Sequence, residues 1–204
     1  MTETVSALFD RYEDAQTAVN KLQSLGIDRA QISLVSNNSD NWYEGHRTRS
    51  TDAGEVGGDA AGGAGIGAML GGAAGALTGL GLIAIPGLGP VVAAGWLAST
   101  AAGAAAGAVA GSATGGIIGA MTENGVPEEE ANVYAEGVRR GGTLVTAHVP
   151  EGDVAAAQAI LDENRRVDYQ ARGSAYRAAG WNRFDADAPP YTADEIARER
   201  QRYL

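Results

Sequence analysis

Gly62-Gly63-Ala64-Gly65-Ile66-Gly67-Ala68-Met69-Leu70-Gly71 lies near the start of a stretch, residues 60–122, that holds no Asp, Glu, Lys, Arg or His. Glycine recurs in it at every fourth position, at Gly63, Gly67, Gly71, Gly75 and Gly79. After Ile85-Pro86-Gly87-Leu88-Gly89-Pro90 the spacing resumes as Gly95, Ser99, Gly103, Gly107, Gly111, Gly115 and Gly119. A four-residue period stays near one helical face, drifting about 40° per step at ~3.6 residues per turn. The spacing therefore predicts two helical arms, near residues 58–82 and 91–121, each with a stripe bare of side chains. The Pro/Gly cluster between them predicts the turn of a helical hairpin. Such stripes let backbones approach closely, as in a glycine zipper.

Glycine costs a helix roughly 1 kcal/mol relative to alanine. A dozen would cost on the order of 10 kcal/mol, so packing must compensate. Two environments offer it. The hairpin inserts in lipid, each arm exceeding the ~20 residues that span a bilayer. Alternatively, the stripes form the buried core of a homo-oligomer in water. Large apolar residues are sparse in both arms, and residues 101–108 are all Ala and Gly. Both readings imply self-association.

Net charge is −10, carried wholly by the flanks. An acidic surface argues against nucleic acid, which needs a basic footprint. The chain has no cysteine, which excludes disulfides and thiolate metal sites. Met1-Thr-Glu-Thr-Val has no basic region followed by an apolar run, so a signal peptide is not expected. The expected location is cytoplasmic, with any membrane contact at the inner membrane.

Outside the stretch, alternation of Val5, Ala7 and Phe9 predicts a strand. Asp10 and Glu13 have capping-box spacing for a helix carrying Ala15, Ala18, Val19 and Leu22, closed by Gly26. Residues 31–36 predict a second strand. Pro127 and Glu128-Glu129-Glu130 open a helix that ends at Arg139-Arg140. Residues 143–149 predict a strand, Val154 to Leu161 a helix, and Val167 to Arg172 a fourth strand. The order β-α-β, hairpin, α, β-α-β predicts an α+β fold. Its form is a ferredoxin-like sandwich, four strands with helices on one face, interrupted by the glycine-zipper hairpin.

The expected division is residues 1–36 as the first half of this domain, 37–59 as a polar linker, 60–122 as the hairpin and 123–172 as the second half. Residues 173–204 form an aromatic, Pro-rich tail. In it Trp181, Phe184 and Tyr191 are expected to dock on the assembly, and Thr192 and Glu195 to cap a terminal helix.

Several residues resemble the bacterial general-stress-protein domain family, the heat-induced or low-temperature-induced stress proteins. They are Val5-Ser-Ala-Leu-Phe-Asp10, Leu25-Gly26-Ile27, Ile32-Ser-Leu-Val35, Tyr134-Ala-Glu-Gly137 and Arg139-Arg-Gly-Gly-Thr-Leu-Val145. The resemblance covers both flanks at mostly structural positions. It implies a stress-linked, non-enzymatic role and supplies no catalytic residues.

Signals for chemistry are thin. Gly63-Ala-Gly65-Ile-Gly67-Ala68 matches a dinucleotide pattern formally but lacks a preceding strand. His46 and His148 are isolated. Glu128 to Glu130 suit a helix dipole better than a hard cation. Arg139-Arg140 reads as a helix C-terminal charge pair. No enzyme, cofactor, metal or small-molecule substrate is expected. The expected function is structural, self-association through the zipper, at a membrane or in an assembly with an acidic exterior.

Overall fold

The computed structural model describes residues 1–43, 81–85, 87–100 and 116–203. Five strands form one antiparallel sheet: β1 (Thr2–Phe9), β2 (Ile32–Asn37), β3 (Gly81–Ile85), β4 (Gly89–Ala94) and β5 (Thr143–Pro150). Their order is β1-β5-β2-β4-β3. The helices are α1 (Tyr12–Ser24), α2 (Ile117–Glu123), α3 (Glu128–Arg139), α4 (Val154–Glu163), α5 (Tyr169–Ala178) and α6 (Ala193–Gln201). The expected α+β class is what is found.

Strand alternation builds two cores. On one face Val5, Ala7 and Phe9 of β1, Ile32 and Leu34 of β2, and Val145, Ala147 and Val149 of β5 meet α1 and α4. On the other, Leu8, Val35, Leu144, Val91 and Ala93 meet Ile117 and Met121 of α2 and Ala131, Tyr134, Ala135 and Val138 of α3. A side chain such as Leu8, Leu22 or Leu144, fully buried here, contributes about 2 kcal/mol by burial. Both faces of the sheet therefore carry helices, where the sequence predicts helices on one.

Two further expectations are corrected. Residues 81–85 and 89–94 pair as a β-hairpin, not as the ends and tip of a helical one. Ile83, Ile85, Val91 and Val92 are β-branched and suit a pleated surface better than a helix. The backbone also has somewhere to pair: β4 lies along β2 with Leu34 opposite Ala94 and Asn37 opposite Val91. The predicted fourth strand, Val167 to Arg172, is replaced from Tyr169 onward by α5. The Asp168 side chain accepts from the backbone N–H of Gln170 and Ala171 and turns the chain into the helix. All that remains of the strand is one bond, from the Val167 N–H to the Leu8 carbonyl at 2.7 Å.

The linker expected from residue 37 begins inside the domain. Asn37 and Asn38 are buried, and the Trp42 indole donates to the Asn37 carbonyl at 2.7 Å while its ring packs on Tyr12. The predicted capping box at Asp10 does not form. The residue before α1 is Arg11, without a side-chain cap, and Asp10 instead pairs with Arg172.

Candidate self-association surface

The charge-free stretch enters the domain through β3 and β4. Leu88 donates its N–H to the Ile85 carbonyl at 3.0 Å, closing the turn between them. Gly87, with φ +74°, sits where a Cβ would meet Ala186 Cα at 2.7 Å and Asp185 O and Phe184 Cζ at 2.8 Å. The C-terminal tail thus lies directly on the turn, and only glycine fits beneath it.

The register tells which way the backbone groups of β3 point. Pro90 has no N–H, and its carbonyl accepts from Asn38 at 2.9 Å on the β2 side. Its partner on β3 is Ala84, so this is a non-hydrogen-bonded pair. By alternation, Ile83 opposite Val91 bonds to β4, while the N–H and C=O groups of Ala84 and Leu82 point away from it. Among the described residues no strand pairs with that outer edge. Leu82 is 42% exposed, and Ile83 is partly buried against the core. The strand has no charge and no proline, the devices that usually block strand addition.

The opposite edge, β1, is built differently. Val167 pairs with Leu8, and the Tyr134 hydroxyl donates to the Ser6 carbonyl at 3.2 Å. A cavity of about 240 Å³ beside Ser6 is lined by Glu130, Gln158, Arg166 and Tyr169, and Arg166 is paired with Asp162. Among the described residues, the contrast leaves β3 as the bare edge.

Of the predicted ladder glycines, Gly63, Gly67, Gly71, Gly75, Gly79, Gly103, Gly107, Gly111 and Gly115 lie outside the described residues. Gly119 is within α2. Gly95 stands just before a helical segment, residues 96–100, its carbonyl accepting from the Ser99 N–H at 3.3 Å, but its own φ is +88°, and a Cβ there would meet Ser33 Oγ at 2.6 Å and press closer still on the Ile32 carbonyl. It is the corner where β4 ends, and Leu97 next donates its N–H to Ser33 Oγ at 2.9 Å.

The three tail aromatics sit on the chain's own domain. Trp181 packs edge-on against Tyr176 at 5.7 Å. Phe184 is buried, and its N–H donates to Asn132 Oδ1 at 3.1 Å. Tyr191 lies under Arg139 at 5.1 Å and Arg140 at 5.5 Å. Thr192 and Glu195 form the predicted capping box, which holds the Glu195 carboxyl below its usual range through the Thr192 backbone and hydroxyl.

Sequence reading missed the charge network under this tail. Glu136, fully buried on α3, accepts from Arg140 at 2.6 Å and Arg139 at 3.4 Å. Arg140 reaches Glu199 of α6 at 3.5 Å, and Glu199 takes Arg202 at 2.6 Å. Burial lowers the Arg140 pKa, but the hydrogen bond and charge of Glu136 more than offset this and raise it. A Glu followed by Arg at i+3 and i+4 was the available signal; its partner on α6 was not.

Of the remaining candidates, His46 lies outside the described residues, and His148 and Glu129 are in structural contacts. His148 stacks on Trp96 at 4.2 Å, its Nδ1 is 3.2 Å from Gln31 Oε1, and burial lowers its pKa. Glu129 pairs with Arg177. Among the described residues no His, Cys, Asp or Glu group is arranged to hold a metal ion, and no helix is long and apolar enough to cross a membrane. No family model, no curated protein and no solved structure matches the chain.

Proposed function

We propose that this chain is a non-enzymatic protein that assembles with copies of itself through its charge-free stretch, leaving an acidic exterior. The observation that carries the reading is β3. The stretch supplies the outermost strand of the sheet, and that strand is apolar, uncharged and, among the described residues, without a partner on its outer edge. An edge of this kind is a template for another chain. Elsewhere the flanks carry ten net negative charges, which disfavour close approach of two copies. Arg140, with Glu136 and Glu199, is engaged in holding the tail, which supports a structural role for these side chains.

A membrane hairpin with its tip at Ile85 to Pro90 is disfavoured, because that turn lies under Phe184 and Asp185. Membrane contact, on this reading, falls to the residues on either side of β3 and β4. The ferredoxin-like kinship of the domain rests on β1, β5 and β2, where two parallel strands flank an antiparallel one as in a split β-α-β unit. The stress-linked role is what the resemblance of the flanks adds.

Sedimentation equilibrium of the purified chain, with and without detergent, is the test. The expected result is a discrete homo-oligomer whose mass is the same in both. A monomer in both conditions removes the reading, and an assembly that exists only with detergent or lipid favours the membrane form.

A further inference from the structure

We infer that two copies of the chain join β3 to β3 across a two-fold axis at Ile83, making one ten-stranded antiparallel sheet. This rests on the self-associating reading above and names its contact. The strand is self-complementary in register. With Ile83 facing the partner's Ile83, Leu82 of one copy lies opposite Ala84 of the other, and Ala84 opposite Leu82. Those are the two residues whose N–H and C=O groups point outward, so each pair exchanges both hydrogen bonds. A register shifted by one residue faces outward groups against inward ones and forms no ladder.

The side chains agree with the same register. Ile83 lies on the face that carries Val91 and Leu88, partly buried against that core. Two Ile83 side chains meeting on the axis form a close, non-hydrogen-bonded pair and carry the core from one sheet into the next. Leu82, 42% exposed, comes beside the partner's Ala84, a small neighbour that leaves it room. Charge also selects a second copy over a foreign strand rich in charge. No ionisable residue lies between Asp59 and Glu123 in sequence, so two such edges meet without like charges facing across the ladder. A closed isologous contact of this kind uses up the edge and stops at two chains, unless other segments join further copies.

The chain has no cysteine, which gives a direct test on the full-length protein. In a non-hydrogen-bonded antiparallel pair the Cα atoms are about 4.5 Å apart, within disulfide reach. Ile83→Cys should therefore oxidise to a covalent dimer at low micromolar concentration. Ala84→Cys, whose partner copy lies two residues away along the strand and beyond about 7 Å, should remain uncrosslinked. In parallel, Ala84→Pro removes an outward N–H that β4 does not use, and should halve the particle mass by sedimentation while leaving the circular dichroism spectrum unchanged. Selective crosslinking with a halved mass supports the proposal. Equal crosslinking of the two cysteine variants overturns it. So does an Ala84→Pro protein with wild-type mass, and in that case the broader self-association reading stands and other parts of the stretch make the contact. A monomeric wild type overturns both.

Discussion

Arg172 grips Asp10 with both terminal nitrogens, each 2.8 Å from one carboxylate oxygen, across 162 positions of sequence. The pair joins the loop after β1 to α5, and the Tyr203 ring lies 3.6 Å from the guanidinium carbon on its other side. Burial lowers the Arg172 pKa, but the hydrogen bonds and charge of Asp10 outweigh it and raise the value.

A bidentate, charge-assisted bond of this kind contributes on the order of 2 kcal/mol. Asp10→Asn should lower the urea midpoint by a corresponding amount. Arg172→Lys should lower it as well, because an ammonium neither forks onto a carboxylate nor stacks as a plane on Tyr203. Equal stability of Arg172→Lys and wild type would show that charge alone matters.

Gly95 offers a test with opposite signs for two folds. In a helical arm, Gly→Ala gains roughly 1 kcal/mol from propensity. At the observed corner the same change meets a φ of +88° and a clash with Ser33 and the Ile32 carbonyl. Gly95→Ala should therefore destabilise the domain by about 2 kcal/mol or more, measured by chemical denaturation. A stabilised variant would return Gly95 to the helical ladder.

Alkaline pH should unfold the protein through buried phenols. Burial pushes Tyr12 up to about 12, and the Tyr134 and Tyr176 hydroxyls are raised as well, again chiefly by burial. Above pH ~10 the unfolded chain loses these protons while the folded chain keeps them. Stability is therefore lost as pH rises from about 10 through 12. Tyrosine absorbance should show a group of late-ionising phenols whose titration coincides with loss of near-ultraviolet dichroism. Tyr12→Phe should move that transition to higher pH, and an unmoved midpoint would remove Tyr12 from the cause.

Much of the domain was legible because its signals are local. The alternation of Val5, Ala7 and Phe9 needs only a neighbour on one side to become β1. The spacing of Ala131, Tyr134, Ala135 and Val138 makes one buried helical face, and all four are buried in α3. The capping box at Thr192 and Glu195 closes within four residues. The absence of charge between Asp59 and Glu123, which motivates self-association, is likewise plain in the sequence.

Tertiary structure decided what local pattern leaves ambiguous. Leu82-Ile83-Ala84-Ile85 is a short apolar run, which periodicity cannot assign to strand or buried helix. Pairing decided it: β2 had an unpaired side, Asn38 took the Pro90 carbonyl, and the tail closed over Gly87. The four-residue glycine spacing at Gly95 belonged to a corner, because a left-handed backbone and a crowded contact both call for glycine as surely as a helix stripe does. Residues 169–172 had strand-like company in Val167, yet became helix once Asp168 capped them and Arg172 found Asp10. In each case the deciding partner lies far away in sequence, on β2, on the tail or on the loop after β1, and its contribution exists only when the chain is folded.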